Sequence, residues 1–102
     1  MNYSGNFARK PMYKIIYSNK FAKNVVRSAR RGLDLYLLEE IVTDLQSAGT
    51  VSSKHRPHIL SGKLQGLWEC HIKADWLLLW IKNEDQKIIT LVDTGSHSDL
   101  FK

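Results

Sequence analysis

His58, His71, Asp75 and His97 are the residues of this 102-residue chain best suited to moving protons. Imidazole titrates at ~6.5, so a histidine can take or give a proton near neutrality, and two of them can serve as base and acid in one reaction. In Leu67–Ile72 the apolar positions alternate: Trp68, Cys70 and Ile72 share one face, while Leu67, Glu69 and His71 share the other. Asp75 follows His71 by four residues across the short Lys73-Ala74 turn, so the pair should flank one hairpin at one end of a sheet. His58 comes from a long polar connection and His97 from the end of the last strand signal. This order permits the four to converge without requiring it. Singly, each histidine, His55 included, has an ordinary alternative as a solvated or capping residue.

Other chemistries have less support. A His/His/Asp set can hold a metal ion, yet no two histidines have the i, i+4 spacing and no cysteines are paired. The lone Cys70 is on the expected core face, and neither Gly-x-Ser-x-Gly nor a glycine-rich phosphate loop occurs. No metal and no cofactor is expected.

The elements that must position these residues can be read from spacing. Tyr13–Tyr17 is β-branched and aromatic and reads as a strand, with Ser18 as the N-cap of a helix after it. Phe21, Val25 and Ala29, with Ala22 and Val26 beside them, make one face of that helix over 19–31. Lys20, Lys23, Arg27, Arg30 and Arg31 make the other, and Gly32 ends it. Leu37, Leu38, Ile41, Val42 and Leu45 are the stripe of a second helix over Leu33–Ala48, closed by Gly49. A polar connection over Thr50–Gly66 is long for a small domain, and such loops are usually functional or disordered. Strand signals come next at Leu67–Ile72, Trp76–Lys82 and Lys87–Thr94, with a polar turn at Asn83–Gln86. The tail can hold one helical turn capped by Ser96, with Asp99 three residues on. The order β-α-α-β-β-β implies an α+β domain with two helices packed on one face of an antiparallel sheet, the other face open at least in part. Residues 1–11 lack periodicity and precede a second methionine, Met12; a leader, a cloning scar or an upstream start is expected there, with the domain over 12–102.

Composition sets the frame. At 43% apolar and 25% charged the chain is in the globular range. Its longest apolar run, Trp76–Ile81, is too short for a membrane-spanning helix. One cysteine excludes an internal disulfide framework, and no signal peptide is apparent, so a cytoplasmic protein with no membrane role is expected. Charge is segregated: residues 1–31 hold eight Lys and Arg and no acid, whereas 32–102 hold seven bases and ten acids. That pattern suits a polyanion such as nucleic acid or a ribosomal surface, an acidic protein equally, or a basic helix face with no partner.

The segment from His58 through Gly62, Gly66, Glu69-Cys70-His71 and Asp75-Trp76-Leu77-Leu78, and then Thr94-Gly95-Ser96-His97 and Leu100-Phe101, resembles the YafQ branch of the RelE-like bacterial toxins. Three blocks match in order and distance, and the likeness extends over Met12–Lys102. It implies a RelE-like fold and a ribonuclease toxin of a type II toxin–antitoxin module that cuts mRNA, typically on the translating ribosome. It also implies a cognate antitoxin that wraps the toxin, with a monomeric free toxin and a heterotetrameric complex as the expected states. By motif position His58, His71, Asp75 and His97 fall on the family's catalytic positions, and Phe101 on its functional terminal aromatic.

The residue types suit such a reaction. RNA brings its own nucleophile, the 2′-hydroxyl; a metal-independent nuclease adds a base, an acid for the leaving 5′-oxygen and positive charge near the phosphate. The expected roles are His97 as acid, His58 or Asp75 as base, and His71 holding the phosphate or orienting a partner. Trp76 and Phe101 are expected to stack on a base, with a core role for Trp76 as the alternative. Lys63 and Lys73 are candidate phosphate contacts, with plain solvated lysines as the alternative. The chain departs from the family pattern at Trp68, where relatives often have arginine, and at Ala74, where proline is common. If that arginine stabilises transition-state charge, Lys63, Lys73 or His55 must compensate, or the chain is a slow or inactive relative. The competing readings are a basic binding module that cleaves nothing and a small metalloenzyme.

Overall fold

The computed structural model describes residues 12–101; the expected leader lies outside the described residues. The elements are β1 (Lys14–Tyr17), α1 (Asn19–Arg30), α2 (Leu35–Ala48), β2 (His58–Ile59), β3 (Trp68–Lys73), β4 (Trp76–Asn83), β5 (Ile88–Gly95) and a short α3 (His97–Leu100).

One five-stranded sheet runs in the order β1-β5-β4-β3-β2. Strands β2 to β5 pair antiparallel, but β1 lies parallel to β5, with Ile15 beside Ile89 and Tyr17 beside Leu91. The sheet is therefore mixed rather than antiparallel throughout. The cause is the helical hairpin, which takes the chain from β1 across the sheet and leaves its neighbour to be supplied by the last strand. A further difference is β2, a two-residue strand inside the polar connection, which pairs His58 with Glu69 and Ile59 with Trp68. That connection is ordered by two 3₁₀ turns, Ser53–His55 and Gly62–Leu64.

Both helices end as their residues dictate. The Ser18 side chain accepts from the Phe21 N–H and caps α1. Asp34 caps α2 through the Tyr36 N–H, so this helix starts at Leu35, two residues later than the expected Leu33. Gly49 closes α2 at φ +75°, and a Cβ there would meet the Tyr13 ring at 2.5 Å, so both conformation and space call for glycine.

The core joins Phe21 of α1 and Leu38, Ile41 and Leu45 of α2 to Cys70, Ile72, Trp76, Leu78, Trp80, Ile89 and Leu91 of the sheet. The α2 stripe is the one expected. The α1 face is turned: Asn24 and Ser28 are buried, whereas Val26 and Ala29 are exposed. Asp93 of β5 is itself buried and needs a donor, which Asn24 supplies from Nδ2 to Oδ1 at 2.6 Å. On the sheet face away from Cys70 and Leu78, Glu69, Leu77 and Leu79 are also buried. That face is covered at these positions and opens around the half-buried His71, and again at the exposed Ile81 and Ile16.

Candidate active site

Asp75 and His97 meet across the end of the sheet. Asp75 stands on the β3–β4 turn and His97 opens α3, directly after β5. The Asp75 Oδ1 accepts from the His97 backbone N–H at 2.9 Å and from its ring Nδ1 at 2.7 Å. The backbone bond, then the ring bond, hold the Asp75 carboxyl below its ordinary value. A ring that donates from Nδ1 leaves Nε2 as the atom free to exchange a proton, so Asp75 fixes both the tautomer and the aim of His97.

The turn that carries His97 is clamped. Ser96 and Asp99 form a reciprocal capping box. Asp99 also accepts from Arg31 Nη1 at 2.6 Å and Nη2 at 3.3 Å, and lies 3.4 Å from Arg27 Nη2. The Arg31 guanidinium beside it, with the Ser96 N–H, holds the Asp99 carboxyl well below the usual carboxylate range. Two of the basic residues from the α1 region are thus engaged with the C-terminal turn, and Lys20 lies 3.5 Å from Asp93. Among the described residues Lys14, Lys23 and Arg30 make no ion pair.

His71 projects from β3 beside this pair, its ring centroid 5.8 Å from that of His97. The Phe101 ring lies 6.1 Å from His97 and is 39% exposed, so a face remains for a ligand. His58 is on the neighbouring strand pair. Its Nδ1 donates to the Arg56 carbonyl at 2.8 Å, and its Nε2 is 3.0 Å from Oε1 of the buried Glu69. His71 and Glu69 are two residues apart on β3 and share a face.

Of the two expected phosphate contacts, Lys73 ends β3 and lines a cleft of about 470 Å³ with Lys54, His55, Arg56 and His71. Lys63 is exposed on the turn Gly62–Leu64, away from that cleft's lining. Trp76 is 2% exposed and its indole N–H donates to Thr94 Oγ1 at 3.0 Å, so it is a core residue with no ring face for a base. The expectation that it stacks on substrate is corrected: the first residue of a central strand faces the helices here. Trp68, at the family's frequent arginine position, stacks on Trp80 at 6.1 Å and sits under Lys82 Nζ at 5.4 Å. Among the described residues, no three His, Cys, Asp or Glu side chains are grouped to hold a metal ion.

Two contributors had no local signal in the sequence. Glu69 was visible only as part of a motif, and nothing signalled its bond to His58. The Arg27–Arg31–Asp99 clamp joins residues about 70 positions apart.

The model for the bacterial toxin YafQ of type II toxin–antitoxin systems matches residues 13–102, nearly the whole described chain. The chain belongs to the YafQ toxin family. It is 27% identical over 88 residues to the mRNA interferase toxin YafQ of Escherichia coli K12, covering 85% of this chain and 94% of that protein. Its fold matches YafQ in the solved E. coli DinJ–YafQ toxin–antitoxin complex with TM-score 0.80 at 26% identity, over 89% of this chain and 99% of that one. A metal-bound toxin from Helicobacter pylori matches with TM-score 0.80 at 37% identity, over 88% of this chain and all of the other. These YafQ likenesses span the α+β fold and every element of the site, and place the His58–Phe101 region inside the matched family segment.

Proposed function

We propose that this YafQ-family toxin is an mRNA interferase: an endoribonuclease that cuts mRNA on the ribosome and is neutralised by a cognate antitoxin. The observation that carries the reading is the His97–Asp75 pair, oriented by two hydrogen bonds and set 5.8 Å from a second imidazole. The relatives named as mRNA interferases, and the DinJ–YafQ complex, support the substrate class and the antitoxin.

In this reading the His97 imidazolium donates its Nε2 proton to the leaving 5′-oxygen while Asp75 stabilises the charged ring. The 2′-oxygen attacks phosphorus, the bond to the 5′-oxygen breaks, and the products are a 2′,3′-cyclic phosphate and a 5′-hydroxyl. The base takes the 2′-hydroxyl proton. Asp75 is committed to orienting His97, which favours His58 as that base. Both nitrogens of His58 face oxygens in the free protein, so base action needs the neutral ring, its Nδ1–H kept on the Arg56 carbonyl and its unprotonated Nε2 turned from Glu69 to the ribose. His71, with Lys73 at the adjoining cleft, faces the phosphate, and Phe101 offers a stacking surface. No step calls on a metal ion.

The test is the chemistry of the ends. Ribosomes programmed with a defined mRNA are treated with the protein in a chelator that takes transition metals and leaves magnesium. The expected fragments accept a kinase label at their 5′ ends without prior phosphatase treatment. Fragments with 5′-phosphates, or cleavage abolished by the chelator and restored by one metal, would select the metalloenzyme reading.

A further inference from the structure

We propose that His55 is a positioning residue for His71, acting through the backbone of β3; the inference rests on the nuclease reading of the site. Strand β3 has β4 on one side and only the two-residue β2 on the other. The β2 pairing covers Trp68 and Glu69 and stops there. Backbone groups two residues apart on a strand point to the same side, so the next outward carbonyl beyond Glu69 is that of His71. It has no strand to receive it. Instead His55 Nδ1 lies 2.8 Å from the His71 carbonyl oxygen and donates to it, a side chain filling the place of a missing strand.

On its other side β3 is irregular at the same spot. The register with β4 shifts between His71 and Lys73, and such irregularities re-aim side chains and weaken pairing. The strand is thus least constrained where it presents a catalytic imidazole and leads into the turn that holds Asp75. The His55 bond supplies the missing constraint. His55 is itself held firmly: Ser52 caps its 3₁₀ turn, its N–H donates to the Ser52 carbonyl at 3.0 Å, and the turn is closed by Arg56 at φ +51°. A non-glycine residue in that conformation is strained and persists where the surroundings require it. The tight turn brings the ring to the strand edge rather than into solvent, and His55 is half-buried. His55 does not need to touch RNA for this role.

The test compares His55→Phe, which keeps a ring and loses the donor, with His55→Asn, whose amide N–H can replace Nδ1–H. Both are assayed with wild-type protein for cleavage of ribosome-bound mRNA over a range of ribosome concentrations, and the His71 carbonyl carbon shift is read by NMR in free protein. Expected for Phe is a fall in kcat of about tenfold or more, since small misplacements of reacting groups are costly, with little change in KM. Its His71 carbonyl shift should move, and Asn should restore both. Should the Phe variant fail to fold, His55→Ala repeats the comparison. Wild-type kcat in the variant lacking the donor, an Asn variant as slow as it, or an unmoved His71 carbonyl shift would overturn the proposal. If wild-type protein itself cuts nothing, the nuclease reading falls and the carbonyl shift alone decides whether His55 holds His71.

Discussion

The bond between Asp75 and His97 Nδ1 sets what this site can do with a proton. A carboxylate there takes Nδ1 and keeps Nε2 free to hand on a proton, as an acid catalyst requires. Replacing it with an amide, Asp75→Asn, keeps the shape and removes the charge. The expected outcome is a fall in kcat of about a hundredfold, within the range for general acid–base groups, with both limbs of the pH–rate profile retained. Loss of the acidic limb would make Asp75 the base instead of His58. Because the folded Asp75 carboxyl titrates below its ordinary 3.8, its contact with His97 is fully present above that value and is lost as pH falls through the depressed one. At this scale the sequence was informative about identity and poor about partners. The alternation in β3 put His71 opposite Cys70, as observed, because period two is a backbone property. Trp76 stayed ambiguous, since the unbroken apolar run of β4 shows no face. The bonds of His58 to Glu69 and of His55 to a backbone carbonyl depend on where a loop returns, and no local pattern encodes that.

At the scale of elements, α3 is the short helix that carries the side chain proposed as the acid. A four-residue helix cannot stand by itself, as helices that short do not offset their nucleation cost. The clamp from Arg27 of α1 and Arg31 just beyond it to Asp99 holds it. Asp99→Ala removes the clamp and half of the capping box together. Expected is a modest loss of stability, about 1 kcal/mol for the cap alone, with a fall in kcat of at least about tenfold, measured by thermal melting and single-turnover cleavage side by side. Unchanged kcat would mean that Asp75 alone suffices to place His97. Folded Asp99 titrates far below its ordinary 3.8, so the clamp's contribution is present above that value and is lost only as pH falls through the much lower folded one. The Ser96–Asp99 capping box was legible because it is local, whereas its tie to α1 was not. The helices and the three long strands were legible from periodicity. The parallel pairing of β1 and the brief β2 were not, because strand order depends on packing the helical hairpin and on a two-residue pairing with no pattern of its own.

The whole molecule is basic, with net charge +5, and its cations are unevenly committed. Charge segregation in the sequence suggested a polyanionic partner, yet it overstated the supply: Arg27 and Arg31 serve the fold, leaving Lys23 and Arg30 on α1 without acidic partners among the described residues. A Lys23→Ser/Arg30→Ser double variant should weaken ribosome binding and lower the slope of log affinity against log salt by about two, about one per lost phosphate contact, with the melting temperature unchanged. An unchanged slope would move the ribosome contact elsewhere, with the cleft of Lys54, Arg56 and Lys73 as the next place to look. The central claim, that this toxin cuts translated mRNA with His97 in the chemistry, is tested most directly by one measurement. A defined mRNA is translated in a purified cell-free system with wild-type protein or His97→Ala, and 5′ ends are mapped by primer extension. New cuts in phase with codons, made by wild-type protein and absent with His97→Ala, are the predicted result. Identical cuts by both proteins, or none by wild-type where another toxin of this family does cut, would contradict it.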